Sequence, residues 1–160
     1  MRILVFSDSH GDSESMAKVM TRFYPDAAIF LGDGIDDFLA LEKDYPHTKL
    51  FNVRGTIDDK GDPARLERFE DIAIYMSHEE SFTKIKADRG NISEAMKLNA
   101  QTVLYGHSHV PELFVYRGIM FMNPGTVSKL YGFRIFGLID VVCDDYLCEI
   151  MFADLIVGGK

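Results

Sequence analysis

Residues 102–109 read Thr-Val-Leu-Tyr-Gly-His-Ser-His, a largely apolar run followed directly by a glycine and two histidines two residues apart. A short apolar run before a turn signal is typical of a strand that is buried on both faces. The two histidines would then project from the C-terminal end of that strand. Because open α/β sheets bind their ligands at the carboxyl ends of the strands, this stretch predicts a functional site there.

The same arrangement occurs at three further places in the chain. At each, carboxylate or imidazole side chains closely follow an apolar run: Asp8 and His10 after residues 3–6, Asp33 after residues 28–31, and His78 after residues 72–76. Four of the five histidines therefore occupy predicted strand ends, whereas His47 lies in a polar segment typical of a surface loop. Scattered core or surface histidines would rarely gather in this way. The pattern favours a metal site.

The length and composition are those of an ordinary soluble protein. A chain of 160 residues can bury one sizeable core but is short for two, so we expect a single domain over residues 1–160. Apolar residues make up 47% and charged residues 26%, and no stretch approaches the roughly 18 consecutive apolar residues of a membrane helix. Met1 runs directly into a strand pattern without a signal-peptide core, which favours a cytoplasmic protein that has no membrane partner.

The net charge and the cysteines indicate which ligands and which redox state to expect. The formal net charge of −8 argues against non-specific nucleic-acid binding, which depends on many cationic contacts to phosphate. An acidic protein that handles phosphate needs cations at its site, and bound divalent metals could supply them. Cys143 and Cys148 flank a predicted turn, and in a chain without a secretory signal we expect two reduced thiols.

The first third of the chain alternates between strand and helix patterns. Residues 2–6, 27–31 and 48–53 predict buried strands; the two segments between them predict helices, one with Ser13 as its N-cap that ends at Pro25 and one that ends before Pro46. This βαβαβ order implies a mainly parallel sheet with right-handed connections.

The remainder is richer in hairpins. Three hairpins are predicted after residue 60, formed by residues 66–70 and 72–77, 113–116 and 119–122, and 133–142 and 146–152. Between the first two hairpins, a helix near 91–99 is predicted to precede a strand over 102–105. We expect the last third to form a second, antiparallel-rich sheet.

The ligand types indicate which metals would bind. Asp8 and His10 combine a hard carboxylate oxygen with an imidazole nitrogen, a mixture that suits Mn, Fe, Ni or Zn better than Mg or Ca. Asp33 lies between two glycines, so its carboxylate could bridge two ions without crowding from its neighbours. Taken singly, a strand-end Asp could instead be a helix N-cap and His78 an interior histidine; only the combination indicates a metal centre.

These motifs resemble the calcineurin-like metallophosphoesterases, and most closely the small bacterial and archaeal phosphodiesterases of that superfamily. The resemblance covers nearly the whole chain and rests on Asp8-x-His10, Gly32-Asp33-x-x-Asp36, Arg54-Gly55-x-x-Asp58, His78, Gly106-His107-x-His109 and Asn123-Pro124-Gly125-Thr126. It implies an α/β fold, a four-layer αββα sandwich of two mixed β-sheets flanked by helices, with a centre for two divalent transition metals at the strand ends.

The resemblance also implies a role for each site residue. Asp8, His10 and His109 would bind the first metal, His78 and His107 the second, and Asp33 would bridge the two. Relatives usually supply an asparagine to the second metal where this chain has Thr56, a weaker and shorter ligand, so we expect a weaker second site.

The chain departs from its relatives at three other positions. Many relatives carry a histidine that assists the leaving group at the position of Ile57, and they commonly have His-Gly-His where this chain has His78-Glu79-Glu80.

Two further motif residues have alternative interpretations. Arg54 is either a phosphate contact or a solvated side chain, and Asp36 is either a motif residue or an acidic residue that favours the start of a helix. Residues 123–126 are interpreted as a structural turn beside the site.

The function expected from this reading is metal-dependent hydrolysis of a small phosphate ester, with a diester favoured, through a hydroxide bridging two metals. With Ile57 unable to move a proton, aryl or nucleotide-like esters should react better than alkyl esters. The alternative is a catalytically weak or inactive interaction protein that keeps the fold, as in a retromer subunit of eukaryotes that resembles the same family. Both functions are compatible with a monomer or an oligomer.

Overall fold

The computed structural model describes residues 1–78, 96–143 and 145–156. Their elements, in chain order, are β1 (Arg2–Phe6), α1 (Ser13–Phe23), β2 (Ala27–Phe30), α2 (Ile35–Leu39), β3 (Lys49–Asn52), β4 (Ala64–Phe69), β5 (Ile72–Ser77), β6 (Thr102–Leu104), β7 (Glu112–Tyr116), β8 (Ile119–Asn123), a 3-10 helix (Lys129–Tyr131), β9 (Ile135–Val142), β10 (Asp145–Phe152) and α3 (Ala153–Ile156). Glu79, Glu80 and most of the helix predicted near 91–99 lie outside the described residues.

The strands form two mixed five-stranded sheets. The first has the order β10-β9-β1-β2-β3, in which β1, β2 and β3 are parallel, β9 is antiparallel to β1, and the edge strand β10 is antiparallel to β9. The second has the order β4-β5-β6-β8-β7, with β5, β6 and β8 parallel between two antiparallel edge strands. The predicted fold class of two mixed sheets is confirmed.

Apolar side chains on the facing surfaces of the two sheets pack against each other. A buried cluster joins Val5 and Ile29 of the first sheet to Ile74, Leu104 and Met122 of the second. The opposite face of the first sheet is covered by α1 and α2 through a second apolar cluster. A third cluster, which includes Tyr75, Val103 and Phe121, lies on the outer face of the second sheet. Helix, sheet and sheet layers are therefore defined by three apolar cores.

The last hairpin lies in a different sheet from the one predicted. Strand β9 pairs with β1, so β9 and β10 extend the first sheet and do not belong to the second. The physical reason is burial: six of the first seven residues of β9 are buried, which suits a central strand with neighbours on both edges. The expected antiparallel character of the hairpin itself is confirmed.

Two helix boundaries also differ from the predictions. Asp12, not Ser13, is the N-cap of α1, because its carboxylate accepts the Ser15 backbone N–H at 3.1 Å, and Ser13 is already helical. Regular helix in α2 ends at Leu39, where hydrogen bonds from residue i to residue i−3 replace the α-helical pattern.

Three other expectations concern the cysteines, His47 and the membrane. Cys143 is an exposed free thiol and Cys148 a buried one, in agreement with the prediction of reduced cysteines. Burial raises the pKa of the Cys148 thiol to about 12, which keeps it protonated at neutral pH. His47 is exposed, as predicted. In the described part of the chain, no helix has the length and apolar character needed to cross a membrane.

Candidate metal centre

Six ligand-type side chains meet at one edge of the two packed sheets. Asp8 and His10 follow β1, Asp33 follows β2, His78 follows β5, and His107 and His109 follow β6. Because β1 and β2 are parallel in one sheet and β5 and β6 are parallel in the other, the carboxyl ends of each pair lie at the same sheet edge. The structure thus brings together all six residues that the sequence singles out, in two adjoining clusters.

The first cluster contains Asp8, His10 and His109, whose ligand atoms all lie within 4.8 Å of one another. The Nε2 atoms of His10 and His109 are 3.3 Å apart, and His109 Nε2 is 3.1 Å from Asp8 Oδ1. Asp8 is fully buried, and the close approach of His109 does not have hydrogen-bond geometry, so Asp8 Oδ1 accepts no hydrogen bond from the described residues. A buried carboxylate oxygen without a donor is costly. A divalent cation would satisfy it, so this donor set fits a metal ion.

The other oxygen of Asp8 fixes the direction of the first. Asp8 Oδ2 accepts the Ser7 hydroxyl and the His107 backbone N–H at 3.2 Å. Both bonds hold the carboxylate so that Oδ1 faces the two imidazoles. The second bond also ties the first cluster to the chain segment that carries the second.

The second cluster contains Asp33, His78 and His107, again with ligand atoms within 4.8 Å of one another. His78 Nδ1 lies 2.7 Å from the Leu31 carbonyl oxygen, which can only accept, so Nδ1 carries the proton and Nε2 faces the cluster. This Nε2 is 3.4 Å from Asp33 Oδ2 and 3.2 Å from His107 Nδ1. A histidine oriented through its second nitrogen is the usual arrangement at protein metal sites.

Five of the six residues have strained backbones. Asp8, His10, Asp33, His107 and His109 all have φ between 45° and 71°, a region that non-glycine residues seldom occupy. Such conformations cost about 1–3 kcal/mol each and persist where surrounding structure enforces them, typically at functional sites. Their concentration here indicates that the chain gives up stability to aim these side chains.

Two glycines make room for the carboxylates. A Cβ at Gly55 would lie 2.1 Å from Asp33 Oδ1, and one at Gly106 would lie 2.2 Å from Ser7 Oγ and 3.2 Å from Asp8 Oδ2. Any larger residue at either position would displace the carboxylate or the hydroxyl that orients it. The glycine before the two histidines is therefore needed for space as well as for the turn.

Asp58 holds the loop that follows β2 against the loop that follows β3. Its carboxylate accepts four backbone N–H groups, from Asp33, Gly34, Ile35 and Gly55, at 2.7–3.0 Å. Burial alone would raise the pKa of Asp58, but these four donors outweigh it and hold the pKa below its ordinary value. The remaining freedom of Asp33 is reduced by Ile57, whose N–H donates to Asp33 Oδ1 at 3.0 Å.

Residues 123–126 support the site from the other side, as their interpretation as a structural turn predicts. Asn123 Nδ2 donates to the Gly106 carbonyl oxygen and to Ser108 Oγ, both at 3.0 Å. Thr126 Oγ1 donates to the Asp8 carbonyl oxygen at 2.7 Å. These bonds fix the backbone of both histidine-bearing turns without placing any further ligand at the clusters.

Of the remaining candidates, Arg54 and Thr56 lie beside the second cluster and Asp36 does not. Thr56 is exposed, with Oγ1 3.5 Å from His107 Nδ1, and Ile57 is 64% exposed. Arg54 is exposed and lines a cavity of about 210 Å³ together with Gly55, Thr56, Pro63 and His78. Asp36 lies in the first turn of α2 and is paired with Lys60, so the structure gives it a place at the helix start and no contact with either cluster among the described residues.

One aromatic residue beside the site was missed by the sequence analysis. The ring of Tyr131 lies 4.3 Å from the His109 ring and 5.3 Å from the His10 ring, centroid to centroid. Nothing in the local sequence distinguishes it, because Tyr131 reaches the clusters only through the long-range packing of the segment 126–131.

Comparison with known proteins identifies the family of this chain. The sequence model of the calcineurin-like phosphoesterase superfamily domain matches residues 1–141. The chain belongs to this superfamily. It is 26% identical over 130 residues to a probable metallophosphoesterase of Mycoplasma pneumoniae, an alignment that covers 79% of each chain.

Two solved structures share the fold of this chain. A predicted phosphoesterase from Streptococcus pneumoniae TIGR4 superposes with a TM-score of 0.75 at 24% identity, covering 96% of this chain and 90% of that one. Wild-type Vps29 of Entamoeba histolytica, solved in complex with Zn²⁺, superposes with a TM-score of 0.67 at 16% identity, covering 95% and 99% of the two chains. Membership of the calcineurin-like superfamily implies divalent metal binding, and the two clusters are the candidate sites for it.

Proposed function

We propose that this protein is a phosphodiesterase that uses two divalent transition-metal ions. The observation that carries the proposal is the pair of adjoining Asp/His clusters, one with a buried carboxylate oxygen that accepts no hydrogen bond from the described residues. Asp8, His10 and His109 would hold one ion, and Asp33, His78 and His107 the other, with Asp33 proposed to bridge. When bound, the ions would act as Lewis acids on the phosphoryl oxygens and provide a water-derived nucleophile at neutral pH.

The protein's own residues would prepare this site for the reaction. Leu31 holds the His78 proton on Nδ1, and Ser7 and the His107 N–H orient Asp8, so the ligand atoms need little rearrangement. Preorganised groups cost no reorientation when charge develops on the phosphoryl group. Arg54, which is exposed beside the second cluster, would attract the phosphate in an otherwise acidic protein.

A diester with a good leaving group suits these residues best. The family resemblance implies that Ile57 stands where many relatives carry a histidine that assists the leaving group, and the Ile57 side chain is apolar and exposed. Departure must then proceed without a proton from that position. We therefore expect aryl phosphodiesters to react faster than alkyl ones.

The test is hydrolysis of bis(4-nitrophenyl) phosphate by purified protein after chelation and after reloading with Mn²⁺, Ni²⁺ or Mg²⁺. We expect no turnover in chelator and recovery with Mn²⁺ or Ni²⁺. His109→Ala and Asp33→Asn should each lose at least about 100-fold in kcat, since a metal ligand of this kind supports several kcal/mol of transition-state stabilisation. His47→Ala, which removes an exposed histidine outside both clusters, is the matched control and should keep full activity. Undiminished turnover by metal-free protein would overturn the proposal, and metal binding without turnover would favour the interaction protein.

A further inference from the structure

Tyr131 presents an unused aromatic surface over the first cluster. Its side chain packs on His109 and His10, yet the residue remains 53% exposed. Its ring meets the His109 ring at 67° and the His10 ring at 55°, so neither imidazole stacks flat against it. Part of the ring is therefore open to solvent directly beside the proposed reaction centre.

The structure holds this ring in place before any substrate binds. The backbone N–H of Lys129 donates to Asp12 Oδ2 at 3.0 Å, and that of Leu130 donates to Ser128 Oγ at 3.3 Å. Asp12 also caps α1, so the 3-10 helix that carries Tyr131 is fastened to the chain just after His10. A fixed aromatic side chain contacts a ligand at low cost in conformational entropy.

The two sides of the site differ in chemistry. The second cluster opens onto the cavity lined by Arg54 and Thr56, which is suited to charged and polar groups. The first cluster lies against Tyr131, with the exposed Leu130 next to it in the chain. A phosphate at the two clusters would thus have a cationic side and an aromatic side. An ester substituent on the aromatic side would gain most by being flat and apolar.

We propose that Tyr131 is a specificity-determining residue that contacts a flat aromatic substituent of the phosphodiester substrate, either an aryl group or a nucleobase. This proposal rests on the phosphodiesterase function proposed above. It deepens that function by assigning a substrate class to one side of the site.

The test is calorimetric binding of matched ligands to Mn²⁺-loaded protein. Phenylphosphonate is compared with methylphosphonate, and thymidine 5′-monophosphate with deoxyribose 5-phosphate, so that in each pair an aromatic group stands where its partner has a methyl or a hydroxyl group. Tyr131→Ala should weaken binding of the aromatic member of at least one pair by about tenfold, as expected for loss of one stacking contact, and change its partner less than about twofold. The pair that responds identifies the substituent as aryl or nucleobase.

Two further variants separate this role from others. Tyr131→Phe keeps the ring and should therefore keep the preference for the aromatic member of the responding pair. Phe133→Ala removes a 70% exposed ring that contacts Phe152 and is the control that should leave binding unchanged. Equal weakening of both members of each pair by Tyr131→Ala, with lower Mn²⁺ affinity, would overturn the proposal by showing that Tyr131 merely holds His109. Loss of kcat in Tyr131→Phe would overturn it in favour of proton donation. Discrimination between the ligands without hydrolysis of any diester would support Tyr131 and overturn the proposed function instead.

Discussion

Thr56 lies beside the second cluster, where a longer side chain could provide a further metal ligand. Its hydroxyl is exposed and 3.5 Å from His107 Nδ1, and it reaches less far than an asparagine amide would at this position. We predict that the second metal binds more weakly than the first. Thr56→Asn should tighten the weaker site by about tenfold, equivalent to about 1.4 kcal/mol, and increase diester hydrolysis at low metal concentration.

Metal titration by calorimetry beside the kinetics measures this effect. Thr56→Val, which keeps the shape and removes the hydroxyl, is the matched control, and because the hydroxyl is a poor ligand it should bind metal much like wild type. Two equally tight sites in the wild type, unchanged in Thr56→Asn, would rule out a weakened second site.

At the residue level, the sequence predicted the site residues that directly follow the end of a strand. Asp8, His10, Asp33, His78, His107 and His109 each follow a strand closely, and the structure brings them together. The sequence could not predict Tyr131 or the partners of Asp58. Tyr131 reaches His109 through the packing of a distant loop, and Asp58 finds most of its donors more than 20 residues away. The motif Arg54-Gly55-x-x-Asp58 singles out Asp58 but does not identify its distant donors, and no pattern in the sequence singles out Tyr131.

At the level of elements, Asp58 joins the loop after β2 to the loop after β3, and its charge should set their stability. Asp58→Asn replaces one acceptor oxygen by an NH₂ group that cannot accept from the backbone donors. It should lower the free energy of unfolding by about 2 kcal/mol at pH 7, because donors to a charged group are left unsatisfied. The measurement is urea denaturation, with the exposed Asp59→Asn as the matched control, which should change stability by less than about 0.5 kcal/mol.

The pH dependence of the Asp58 variant has a defined sign. The folded-state pKa of Asp58 is depressed, so its stabilisation is fully present above the unfolded value of about 3.9 and is lost as the pH falls through the folded pKa. The difference in stability between wild type and Asp58→Asn should therefore be constant above about pH 5 and shrink below about pH 4. A difference that stays the same down to pH 3 would show that the carboxylate charge is not its source.

The sequence pattern predicts individual strands better than it predicts which sheet each strand joins. The strands β1, β2 and β3 could be predicted in order because their apolar runs alternate with helical segments. The β9–β10 hairpin was predicted as a hairpin, but its sheet was not, because a hairpin's own turn and alternation carry no information about the strand beside it. The nearly continuous burial of β9 is typical of a central strand, and it agrees with the pairing of β9 with a strand on each side.

At the scale of the whole molecule, both clusters draw ligands from both sheets. Asp8 and His10 extend from the first sheet to meet His109 from the second, and Asp33 from the first sheet meets His78 and His107 from the second. A metal ion in either cluster would therefore link the two layers of the sandwich. The unfolded chain holds none of these ligands together, so binding should favour the folded state.

This arrangement predicts a metal-dependent stability. Free Mn²⁺ at about 100 times its dissociation constant should raise the free energy of unfolding by about 2.7 kcal/mol for each site filled, because the ion binds the native state alone. Urea denaturation should show a higher midpoint with an unchanged slope, since the surface exposed on unfolding stays the same. His109→Ala should lose the part that comes from the first cluster and keep the rest. His47→Ala should retain the full gain, because its imidazole is exposed and lies outside both clusters. An equal gain in His109→Ala and wild type would mean that the ion stabilises the protein from somewhere other than the junction of its two sheets.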